Sequence, residues 1–164
     1  MPLSLDDIRH LDAADTWLER GDYLNCFHEP ERIDYNNRED QRVLALRWKL
    51  YNKSGQHVPA ANLALGIQRR FPDEPAGYVW RSISLTKLGA TQEAYDCLAA
   101  VAGKFDGLGV VPDTLAVLAA QLQRMELAYD WLGKAYATPE GDEFKLLSLE
   151  EKELDGFWRK IGAI

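Results

Sequence analysis

Glycines at positions 21, 55 and 89 stand 34 residues apart, and three further columns keep the same interval. Cys26, Ala60, Ala94 and Ala128 form one column, Trp17, Tyr51, Leu85 and Ala119 a second, and Ile33, Ile67, Val101 and Ala135 a third. An internal period of this length constrains the fold more than any single motif. It means one helix–turn–helix unit used several times, each unit burying its apolar face against the next. Glycine at the turn supplies the left-handed backbone that closes a first helix. The small residue five positions later lies inside a second helix and lets two helix backbones approach closely.

The apolar stripes agree with this unit. Leu44, Trp48 and Tyr51 fall at i, i+4, i+7, as do Ala94, Leu98 and Val101. Ala60, Leu63, Ala64, Ile67 and Phe71 follow the same helical rule. The spacing predicts helices paired as 4–20 with 23–35, 39–53 with 57–71, 75–88 with 91–104, and 112–122 with 125–137. Pro75 and Pro112 fit first turns. Pro30 falls inside an expected helix, where it removes a hydrogen bond and predicts a kink. Thr138 to Asp142 reads as a break, followed by a short helix around 143–149. Leu154, Phe157, Trp158 and Ile161 then make one apolar face opposite Asp155, Arg159 and Lys160. The open end of a repeat array needs such a cap; a partner-docking or dimerising helix is the other reading. The expected fold is all-α, a right-handed superhelical array of antiparallel helix pairs over 1–137 with a capping segment at 138–164. Its repeats cover about 7–38, 41–74, 75–108 and 109–137.

These columns resemble the tetratricopeptide repeat (TPR), whose pattern runs W-x₂-L-G-x₂-Y…A-x₃-F…P. Gly55, Ala60 and Phe71-Pro72 carry the likeness in the second repeat. Ser82, Leu85, Leu88-Gly89, Ala94 and Leu98 carry it in the third. Cys26 in the alanine slot and Gln123 in the glycine slot depart from the pattern in the outer repeats. The resemblance implies a scaffold that grips peptides or protein surfaces in a concave groove. TPR modules that clamp a terminal carboxylate use Lys and Asn on the first helix of repeat one. Leu11 and Asp15 stand at the comparable positions here, so that clamp is not expected.

Composition narrows the function classes. Hydrophobic residues make up 46%, with five Trp and seven Tyr, which is too apolar for a disordered chain. No apolar run reaches the roughly 20 residues of a membrane span, and the start carries no basic and apolar export signal. The net charge of −7 resides in residues 1–40, which hold eleven acids and four bases; the remainder balances. A net-acidic chain disfavours nucleic acid. Cys26 and Cys97 lie about two repeats apart, too far for a disulfide, so two free thiols in the cytoplasm are expected. His10, His28 and His57 are scattered without metal-ligand spacing. The glycines between Gly103 and Gly109 match no phosphate-loop pattern, and no serine sits in a nucleophile elbow. Neither a cofactor nor an enzymatic activity is expected.

The groove remains. Arg42, Lys49 and Lys53 fall at i, i+7, i+11 on one helix, with Asn52 beside them. Trp80 and Ile83 lie off the core stripe of the next repeat's first helix, with Lys87 one turn on. An aromatic flanked by cations suits an acidic or amphipathic peptide. Asp15 stands one repeat before Lys49 and Glu19 one repeat before Lys53, so pairing within the chain is the competing expectation; Trp80 in the inter-repeat core is another. A monomeric protein-binding scaffold is the favoured reading. A secretion-type TPR chaperone and an enzyme subunit with a site near the tail are the alternatives.

Overall fold

The computed structural model describes residues 2–139 and Gly141. The helices expected around 143–149 and 154–161 lie outside the described residues. Within them the chain is all-helical, with eight α-helices and no strand. These are α1 (Leu5–Glu19), α2 (Tyr23–His28), α3 (Gln41–Lys53), α4 (His57–Arg70), α5 (Ala76–Lys87), α6 (Thr91–Ala99), α7 (Val110–Gln121) and α8 (Met125–Tyr136). Each packs on the next, and α1 also touches α3, as α5 touches α7.

Four helix ends are built the same way. The N–H groups of Asp22, Gln56, Ala90 and Arg124 donate back to the carbonyls of Trp17, Tyr51, Leu85 and Ala119 at 2.8–2.9 Å. One residue earlier, Gly21, Gly55, Gly89 and Gln123 donate to Leu18, Asn52, Thr86 and Ala120. Together these bonds satisfy the orphan carbonyls of the helix end in a Schellman motif. The motif requires a left-handed residue, and φ is 73°, 77° and 82° at the three glycines and 61° at Gln123. A side chain in that conformation costs about 1–2 kcal/mol. Gln123→Gly is therefore expected to raise stability by about 1 kcal/mol in thermal unfolding. Gly55→Ala should lower it by a similar amount, since nothing lies within 4 Å of the added Cβ and only backbone strain acts.

Two expected helices are shorter than their sequence stripes. The one placed at 23–35 ends at His28 and continues as 3-10 turns at Pro30–Arg32 and Tyr35–Asn37. Pro30 has no N–H to give and crowds the preceding turn. The chain beyond it is held instead by Asp7. This buried carboxylate accepts from the Asp34 N–H at 2.9 Å and from Asn37 Nδ2 at 2.8 Å. It also closes a capping box with Ser4 at the start of α1. The Asp34 N–H, with Ser4 and Asn37 behind it, holds the Asp7 carboxyl well below the usual carboxylate range. The helix placed at 91–104 ends at Ala99 and passes into a 3-10 turn, Ala102–Phe105. Gly103 is a poor helix former, and the turn seats Phe105 in the core, edge-on to Tyr78 with ring centroids 5.3 Å apart. In the other direction, α7 begins at Val110, so Pro112 is its third residue, where the missing N–H is an orphan of the first turn.

The core has two large parts and a small one between them. Leu11, Leu18, Ile33, Val43, Leu46 and Leu50 belong to the first. Leu98, Phe105, Val111, Leu115 and Leu132 belong to the second. Trp48, Ala60 and Ala64 form the third, with Trp80 packed against it. Cys26, Ala60, Ala94 and Ala128 are all fully buried, as the small-residue column requires. Helices α5 and α4 approach closely at Gly77 on α5, where a Cβ would stand 2.5 Å from the backbone N of Gln68 on α4.

Candidate peptide-binding face

Asp15 on α1 and Lys49 on α3, 34 residues apart, face each other. Lys49 Nζ on α3 lies 3.7 Å from Asp15 Oδ1 on α1, both side chains half-exposed. An exposed pair of this kind contributes about 0–1 kcal/mol. The analogous Glu19 and Lys53 form no ion pair among the described residues, so only half of the expected internal neutralisation occurs. Two tryptophan bonds, one buried and one partly buried, follow a related spacing, 36 residues apart. Trp48 Nε1 donates to Ser84 Oγ and Trp131 Nε1 to Tyr95 Oη, each at 3.0 Å.

The seven residues expected to form the groove fall into three groups. Ile83 and Lys87 line a cleft of about 320 Å³ between α5 and α7, with Thr86, Thr114, Val117 and Gln121 among its other walls. Arg42 and Trp80 line a second cleft of about 240 Å³, between the first turns of α3 and α5 and the end of α4. Lys49, Asn52 and Lys53 line neither and occupy the exposed surface of α3 between them. Val117 and Gln121 were not anticipated, yet each stands 34 residues after a groove residue, Ile83 and Lys87. The period itself was the signal that finds them.

The charges differ in availability. Arg42 is held by Asp40, the N-cap of α3, with Nε 3.1 Å and Nη2 3.4 Å from its two carboxylate oxygens. This contact lowers the Asp40 pKa and raises that of Arg42. Lys53 and Lys87 are exposed and form no ion pair among the described residues. The buried Oε1 of Gln121 and Oδ1 of Asn52 have no hydrogen-bond partner among the described residues. A buried acceptor left unpaired costs about 1–3 kcal/mol, so each favours an incoming donor. Trp80 stacks on Trp48 with centroids 5.1 Å apart and planes 11° from parallel. One side of the Trp80 side chain thus belongs to the core while the other walls the smaller cleft.

The thiols offer little chemistry. Cys26 is fully buried. Burial, reinforced by the charges of Asp15, Asp22 and Glu29, pushes its pKa up to about 11, so the reactive thiolate is scarce at neutral pH. Cys97 is half-buried, and both cysteines are free. Among the described residues no three His, Cys, Asp or Glu side chains cluster to hold a metal, and no helix is long and apolar enough to cross a membrane. Comparison of the chain with family models, with curated proteins and with solved structures finds no match.

Proposed function

We propose that the chain is a TPR-like array, a right-handed superhelical stack of antiparallel helix pairs, that binds a protein or peptide along the face made by α3, α5 and α7. The recurring turns at 34-residue spacing and the facing of Asp15 and Lys49 support the stacked arrangement. The observation that carries the binding reading is Lys87, which shares a cleft with apolar Ile83 and Val117 and with Gln121, together with a second exposed cation, Lys53 on α3; neither lysine forms an ion pair among the described residues. Cations without partners next to an apolar wall suit an acidic or amphipathic segment: charge sets approach and register, and apolar contact supplies affinity.

Affinity capture from native lysate tests this with wild type beside Lys53→Glu/Lys87→Glu. Both substitutions are on exposed positions and leave the fold intact. The retained partner is expected to bind the variant at least tenfold more weakly, which corresponds to about 1.4 kcal/mol. Arg69→Glu on α4 should retain it as wild type does. Equal retention by the double variant contradicts the reading.

A further inference from the structure

The 240 Å³ cleft exists because the middle of the chain has small side chains where its neighbours have large ones. Ala45 lines it. One repeat earlier the same position is Leu11, and one repeat later Val79, both buried. Ala76 lines it too, and one repeat later that position is Val110, packed against the second core. Leu44 corresponds to Tyr78, whose ring meets the buried Phe105. In the following unit the chain fills this space with its own apolar side chains, Val79, Val110 and Tyr78, while in the preceding one only Leu11 is apolar, Arg42 and His10 holding the other two positions. Between α3 and α5 it does not, and Phe71 and Trp80 are left only partly covered. What is missing is an apolar volume, walled by two aromatic side chains.

Position along the helices gives the rest of the occupant. Arg42, Ala45, Lys49 and Lys53 form one stripe of α3; Ala76, Trp80, Ile83 and Lys87 form one stripe of α5. The cleft is thus one end of the face proposed above, and its distance from Lys53 is about 12 Å, eight residues of helix at ~1.5 Å each. An extended peptide covers that span in about four residues. At the cleft itself the Arg42 guanidinium is already taken by Asp40, so the rim does not call for an anion.

We propose that the cleft between α3 and α5 receives a neutral aromatic side chain of the bound peptide, with that peptide's carboxylates following about four residues away at Lys53 and Lys87. The carboxylate register rests on the binding face being the one proposed above; the aromatic subsite does not.

The test uses N-acetyltryptophanamide, a neutral probe, titrated into the whole chain and followed by amide NMR shifts. Saturable shifts are expected at residues 41–45, 67–71 and 76–80, with a millimolar dissociation constant. Ala45→Leu, which installs the Leu11 side chain, should weaken the probe at least tenfold while leaving the melting temperature equal or higher. Ala76→Val, which installs that of Val110, serves as the second filled variant should Ala45→Leu misfold. Lys53→Glu/Lys87→Glu should leave probe binding unchanged. Absence of saturable shifts at tens of millimolar, or filled variants that bind as wild type does, overturns the proposal. If the probe fails while charge reversal still abolishes partner capture, the subsite is wrong and the face stands. If the probe binds in the cleft while charge reversal leaves partner capture intact, the subsite stands, but the carboxylate register and the face are wrong.

Discussion

Gly77→Ala is expected to destabilise the protein by about 3 kcal/mol, a fall of roughly 10 °C in melting temperature. The added Cβ would stand 2.5 Å from Gln68 N and 2.7 Å from Gln68 Cα. Both are backbone atoms inside α4, so no side-chain rotation relieves the contact. The helices must separate, and α4 against α5 is the most extensive helix contact among the described residues. Gly66→Ala is the control, two residues before Gln68 on α4. Its Cβ meets nothing within 4 Å, so the gain in helix propensity should raise stability by about 0.5–1 kcal/mol. Thermal or denaturant unfolding of the two variants measures both signs. If Gly77→Ala proved neutral, α5 would not lie against α4 as described.

Trp48→Ala should cost about 4 kcal/mol. Trp48 is almost wholly buried, stacks on Trp80 and donates from Nε1 to Ser84 Oγ. The contacts reach from α3 to α5, and through Trp80 they join the small middle core to the second large one. Removing the ring opens a cavity and leaves the face of Trp80 uncovered. Trp48→Phe keeps an aromatic face and should cost about 1–2 kcal/mol. Ser84 Oγ is not orphaned by that change, because it also donates to the Trp80 carbonyl at 2.9 Å. Denaturant unfolding monitored by circular dichroism gives both values; equal losses for Ala and Phe would show that the stacking carries none of the effect.

The local features recurring with the period were legible in the sequence. The turn position and the small-residue column each recur four times, with glycine at the first three turns, and Gln123, which departs from the glycine column, still occupies the left-handed position. The break in the second helix was legible through Pro30, because proline's covalent structure acts whatever surrounds it. Features set by the tilt between helices were not. Gly77 belongs to no glycine column, since Val43 and Val111 hold the equivalent positions. Its role arises from how closely α5 crosses α4. The same holds for the ion pairs. Asp15–Lys49 and Glu19–Lys53 are equivalent in sequence, yet only the first closes, because a few ångströms of stagger decide contact for an exposed pair. The Asp7 network joins residues 27 and 30 apart through a non-repetitive segment. Its only local trace is the capping spacing Ser4-x-x-Asp7. For the proposed face, the period suggested which stripes of α3 and α5 to compare, while the cleft at Ala45 and the compensation of Arg42 by Asp40 needed side-chain positions.

The central claim is that a partner binds across the first helices. Hydrogen–deuterium exchange of the partner complex against the free protein tests it most directly. The account predicts added protection in 41–53, 76–87 and 110–121, which carry the face of α3, α5 and α7. Protection confined to α4, α6 and α8, with those three helices unchanged, would contradict it.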